Sequence, residues 1–164
     1  MNATLEYMTM EEILSFVDGL GDVLTVRPMP GDGSPEISWG DAFCYLAPDG
    51  VNPTEPQPFA TVVTKDYPGD ASSRLDRPDA FRVNVAAGRD TFVRWTGHAP
   101  REAGLDGEGD AGADDTVFAH PVYGTLGWLA VVNPGPRTDG AIRELLSEAH
   151  RLARARHERR AETG

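Results

Sequence analysis

His120 and Tyr123 stand three residues apart in His-Pro-Val-Tyr-Gly, directly ahead of the most apolar short run of the chain, 128–132. An imidazole titrates near neutrality and a phenol can donate or accept, so this pair offers general acid–base chemistry or a polar ligand contact. A turn that feeds a buried strand keeps such side chains exposed and in place. The competing reading is structural: ring nitrogens that bond backbone groups and fix the turn. Arg82 and Asn84 form the second pair. Alternation along 81–85 sends Phe81, Val83 and Val85 to one side and Arg82 and Asn84 to the other. A forked guanidinium beside an amide suits a carboxylate or another anion. Asp66, Asp76 and Asp79 are close enough in sequence to pair with Arg82 and neutralise it instead.

Other residue types are less promising. Lys65 is the only lysine, and its neighbour Asp66 favours the charged form, so a solvated strand-end charge is expected there and not an amine nucleophile. Residues 106–110 imitate the start of a calcium loop, but Ala111 and Val117 replace the turn glycine and the bidentate glutamate. His98, His120, His150 and His157 have no metal-ligand spacing, so no metal is expected. Gly31-Asp-Gly33 lacks the following GK[ST] of a phosphate loop, and Ser72 and Ser73 lack the glycines of a nucleophile elbow. Trp39 and Trp128 are expected in the core, since each ring has a large area to bury.

The elements that must position these residues follow from periodicity. Thr9 with Glu12 makes a capping box, and Met10, Ile13, Leu14, Phe16 and Val17 continue at helical spacing to Gly19. Strands are expected at 23–28, 37–39, 42–47, 59–64, 81–86 and 128–132, with 37–39 leading through Gly40-Asp41 into a hairpin with 42–47. A short helix over 89–95 should bury Phe92 with Trp95 or Val93. Thr138 should cap a final helix whose Ile142, Leu145, Leu146, Ala149, Leu152 and Ala153 form an apolar stripe. The basic tail of that helix, 154–160, suits the negative end of the helix dipole. Short connections and hairpin signals predict an α+β fold: an antiparallel sheet of about five to six strands with the N-terminal and long C-terminal helices packed on one face. The 164 residues are expected to form a single domain, with flexible ends at 1–8 and 158–164 and an acidic mobile loop over 101–115, a stretch too poor in apolar residues to pack.

Composition narrows the function classes. A net charge of −11 repels phosphate backbones and anionic headgroups, so neither nucleic acid nor membrane is an expected partner. No apolar stretch approaches the roughly 20 residues of a membrane span, and no leader-like start is evident. A lone Cys44 excludes an internal disulfide and points to a reduced, cytoplasmic setting. Fourteen arginines against one lysine indicate a GC-rich genome of the actinobacterial kind.

Three ordered stretches carry a resemblance: 59–65 (FATVVTK), Leu75-Asp-Arg-Pro with Phe81-Arg-Val-Asn, and His120-Pro-Val-Tyr-Gly through Trp128 to Asn133-Pro134. Together they resemble a bacterial family known as domain of unknown function 6194, over nearly the whole chain from about residue 11 to residue 156. At one remove the strand-then-long-helix ending is similar to the MmcQ/YjbR-like small α+β domains. The resemblance implies fold and membership and no known reaction. Three functional readings follow. The first is a cofactor-free domain that binds a small anionic molecule or a protein partner, with Arg82, Asn84, His120 and Tyr123 lining a cleft on the open sheet face. The second is a cofactor-free, metal-free enzyme of secondary metabolism in which His120 is general acid or base and Arg82 holds an anionic substrate, which requires the two within hydrogen-bond reach in one pocket. The third is an interaction module that forms a homodimer through its sheet.

Overall fold

Thr9 opens the first helix by the reciprocal bonds its sequence promises: its hydroxyl accepts from the Glu12 amide, and Glu12 Oε1 accepts from the Thr9 amide at 2.8 Å. The computed structural model describes residues 7–50, 57–103 and 112–163. Helix α1 (Met10–Asp18) buries Ile13, Leu14 and Val17. Strands β1 (Val23–Val26), β2 (Ala42–Leu46), β3 (Ala60–Val63) and β4 (Arg82–Ala86) follow, then helix α2 (Arg89–Thr96), strands β5 (Val117–Ala119) and β6 (Trp128–Val132), and the long helix α3 (Asp139–Thr163). The six strands lie in the order β1-β2-β3-β4-β6-β5, every neighbouring pair antiparallel. This is the expected α+β architecture. Among the described residues no helix is long and apolar enough to cross a membrane.

Alternation divides the sheet into two faces. Val83, Val85, Leu129 and Val131 join Ile142, Leu145, Leu146 and Ala149 of α3 and the buried face of α1 in one core. On the other face a smaller cluster gathers Val63, Leu75, Ala80, Phe118, Ala130 and Val132, with Tyr67 against it. The chain between β3 and β4 folds back over this second face. Both sides of β4 are therefore buried, although its alternation suggested one polar side open to water. Periodicity gives the direction a side chain points; what covers it comes from elsewhere in the chain.

Several expected elements take another form. Residues Glu36–Ser38 make a 3-10 turn, and the Ser38 hydroxyl donates to the Pro35 carbonyl at 2.7 Å, so the hairpin partner of β2 is β1 and not 37–39. The edge strand β5, only three residues long, had no periodic signal. In α2 Phe92 is fully buried and Trp95 is exposed. Trp39 and Trp128 are half-buried instead of core, and Trp39 Nε1 is buried without a partner among the described residues.

The stretches expected to be loose also carry defined contacts. Met8 is buried, with its amide bonded to the Pro134 carbonyl at 2.8 Å, and 158–163 continue α3. Within the expected acidic loop, Asp115 is buried, and its carboxylate accepts from the amides of Gly135, Arg137 and Thr138 at 2.8–2.9 Å and from the Thr138 hydroxyl. The acceptor at the start of α3 is thus Asp115, to which the Thr138 side chain itself donates. Residues 1–6, 104–111 and 164, also named in those expectations, lie outside the described residues.

Glycine is required where β4 meets α2. Gly88 has φ +83°, a conformation strained for any residue with a side chain, and a Cβ there would lie 2.7 Å from Leu152 Cδ1, so the Leu152 side chain would also have to shift.

Candidate functional site

Register brings the two sequence-predicted pairs together. Arg82 lies opposite Val132 and Asn84 opposite Ala130 on β6, while Phe118 of β5 faces Ala130 from the other side. His120 follows β5 on the same face as Phe118, which places its imidazole over the neighbouring strands. Arg82 Nη2 and His120 Nε2 are 3.1 Å apart.

Arg82 is buried, and its donors have buried or nearly buried acceptors. Asp70 takes both ends of the fork at 2.9 and 2.6 Å, Ser73 Oγ accepts at 3.0 Å, and Asn84 Oδ1 accepts from Nε at 2.7 Å. Asn84 in turn donates to Thr61 Oγ1 at 2.9 Å, a residue directly opposite it on β3. None of Asp66, Asp76 and Asp79, the acids proposed from sequence distance, is the partner. Asp66 instead accepts from the Leu75 amide and Asp76 from the Asp66 amide, bonds internal to the covering loop. The sequence reading missed Asp70 and Ser73. Their signal is Pro68-Gly69-Asp70, a tight turn in which the Tyr67 and Asp70 backbones bond reciprocally and Gly69 takes φ +79°. That turn reverses the chain and returns it over the sheet.

His120 has a fixed protonation pattern. Nδ1 accepts from the amides of Val122 and Tyr123, both at 3.0 Å, so the ring proton of the neutral imidazole belongs on Nε2. Burial, then the Arg82 charge, push its pKa down to about 3, with Asp70 pulling the other way. Asp70 is itself held below the usual carboxylate range: burial works against this, but the hydrogen bonds and charge of Arg82 outweigh it. A neutral imidazole with Nδ1 occupied and a proton on Nε2 has no free lone pair for a general base. Two hydrogen-bond donors, Nη2 and Nε2–H, therefore face one another. Tyr123, half exposed, lays its ring against the imidazole with centroids 5.0 Å apart, and Trp128 approaches both rings. Arg82, Asn84 and His120 thus share one buried network, and Tyr123 stands at its edge.

A second polar cluster went unread in the sequence. Asp41, taken as a turn residue, is fully buried and accepts from Lys65 Nζ at 2.8 Å, the Thr64 amide and hydroxyl, and the Tyr67 hydroxyl. Lys65 also donates to the Trp39 carbonyl at 2.9 Å, so it is a half-buried paired charge in place of the solvated one expected. Burial first, then the bond to Asp41 and its charge, raise the Tyr67 hydroxyl, which keeps its proton. Tyr67 thereby ties this cluster to the loop that carries Asp70. Cys44 is buried and its thiol is pushed up to about 11, which makes it unreactive. Among the described residues no three His, Cys, Asp or Glu side chains gather in a metal-binding arrangement.

Open space lies elsewhere. A cleft of about 730 Å³ runs along the strand ends, lined by Met8, Thr9, Thr64, Arg77, Phe81 and Asn133 among others and by neither Arg82 nor His120. Its one arginine is engaged by Asp114 at 3.1 Å.

No curated protein and no solved structure matches the chain. The model of a family of unknown function, DUF6194, matches residues 8–162, and with the fold and its buried network described, the chain belongs to that family.

Proposed function

We propose that the chain is a non-catalytic binding domain for a small anionic molecule, with Arg82 and His120 as the receptor and Asp70 as a built-in anion that occupies it. The observation that carries this reading is the pair of facing donors, Nη2 and Nε2–H, 3.1 Å apart. A carboxylate or phosphate oxygen placed to one side of the two nitrogens, within hydrogen-bond distance of each, accepts from both, as Asp70 Oδ2 already accepts from Nη2. Asn84 and Ser73 hold the rest of the guanidinium and keep its fork aimed. The Asp70 side chain is 12% exposed against 2% for Arg82, so the anion already in place is nearer to solvent than the cation it holds. A ligand carboxylate would enter by displacing it, with Tyr123 as the aromatic rim. The enzyme reading draws less support, because the His120 ring offers no lone pair for proton abstraction and its low pKa leaves no imidazolium to act as acid near neutrality.

Removal of the internal anion tests this directly. Asp70→Ala leaves a space of carboxylate size beside a buried guanidinium. Thermal unfolding of that variant in acetate, formate or phosphate should show a saturable rise in Tm beyond that in sodium chloride at equal ionic strength, and the wild type should respond less. An anion at ~100 times its dissociation constant adds about 2.7 kcal/mol, which reads as a shift of several degrees. A variant that responds to these anions no more than to chloride would overturn the proposal.

A further inference from the structure

A cavity of about 310 Å³ opens at the opposite end of the sheet from the larger cleft, where β2 and β4 finish and β6 begins. Its walls include Leu46, Pro58, Leu126 and Trp128, and two cations of α3, Arg156 and Arg160, border it. Ala153, Arg156 and Arg160 recur at helical spacing, so one face of α3 supplies this wall. Leu126 is 72% exposed, an apolar side chain left in water at the rim of a cavity whose lining mixes polar and apolar groups.

The charge of Arg156 is the second observation. The other arginines of this part of α3 are engaged: Arg151 with Glu148 at 2.7 Å and Arg154 with Asp22 at 3.1 Å. No acid among the described residues pairs with Arg156. Partial burial, then the charges of Arg160 and Arg159, disfavour its charged form. The helix dipole accounts for a cation in the last turn, where Arg160 stands, but its effect fades within that turn, and Arg156 lies before it. In a chain of net charge −11, Arg156, with no acid paired to it among the described residues, borders the cavity as a cation that an anionic ligand would complete.

We infer that this cavity binds a small organic anion with a flat apolar body, its charged group on Arg156 and its body against Trp128 and Leu126. A volume near 310 Å³ is at the lower end of ligand pockets and suits one or two fused rings. Of the lining residues, Trp128 touches the Arg82 network through ring contacts with His120 and Tyr123, and among the described residues none of the side-chain hydrogen bonds of that network involves a lining residue, so Arg156→Gln tests this site separately from that one.

The probe is 2-naphthoate, with 2-naphthalenemethanol as the uncharged counterpart, titrated calorimetrically into the whole chain. Naphthoate should bind saturably and more weakly as salt is added. The alcohol, and naphthoate with Arg156→Gln, should each bind roughly tenfold more weakly or worse. Equal affinity for acid and alcohol, an unchanged affinity in Arg156→Gln, or no naphthoate binding at millimolar concentration would overturn the inference. Arg156 is largely exposed with only part of its side chain covered, so Arg156→Gln is expected to keep the fold, which circular dichroism checks.

Discussion

At the scale of single residues, His120 is the group whose chemistry the fold changes most. Its folded pKa, about 3, lies below the ordinary 6.5 because burial and the Arg82 guanidinium disfavour the imidazolium. Between those two values the unfolded chain holds a proton that the folded chain does not, so stability is full above about pH 6.5 and declines as pH falls toward 3. The slope is at most about 1.4 kcal/mol per pH unit, giving a loss of a few kcal/mol. Asp70, lowered from 3.8, adds its own loss as pH falls below about 3.8. Urea unfolding midpoints measured from pH 7 to pH 4 should therefore fall steadily in the wild type. In His120→Asn, whose Oδ1 can still accept from the Val122 and Tyr123 amides, most of that slope should vanish. A slope unchanged by the substitution would mean that another group carries it.

At the scale of elements, the start of α3 depends on a residue distant in sequence. Asp115 accepts from three amides and a hydroxyl there, and those bonds outweigh its burial to hold its carboxyl low. Asp115→Ala should cost about 1–3 kcal/mol in chemical denaturation, with Asp115→Asn closer to wild type, because the substitution orphans buried donors. A cost within ~0.5 kcal/mol would show that water replaces the carboxylate. The same element shows what sequence can and cannot reveal. The α3 stripe, the Thr9 capping box and the β4 alternation were legible because local spacing alone sets them. Asp115 and Asp70 were not, because what each accepts lies on a distant segment and depends on strand order. Likewise, the Arg82 and Asn84 direction could be read from β4, whereas their burial depends on a loop that returns over the sheet. Asp41 was misread for the same reason, since its partners Thr64, Lys65 and Tyr67 all follow β3.

At the scale of the whole molecule, two cores of unequal size hold one sheet from its two faces. The larger is built with α1 and α3, and Leu145, fully buried within it, should cost about 2–5 kcal/mol on replacement by Ala, seen as a lower denaturation midpoint with the fold retained. The smaller, around Leu75 and Phe118, holds the loop that delivers Asp70 to Arg82, so the packing of that face and the Asp70–Arg82 ion pair are linked. The most direct test of the receptor is the ¹⁵N spectrum of the His120 ring in Asp70→Ala at neutral pH, recorded without and with acetate. The account predicts a neutral ring protonated at Nε2 in both cases, with an Nε2–H resonance that moves saturably as acetate is added. A ring protonated at Nδ1, or an Nε2–H resonance indifferent to acetate, would contradict it.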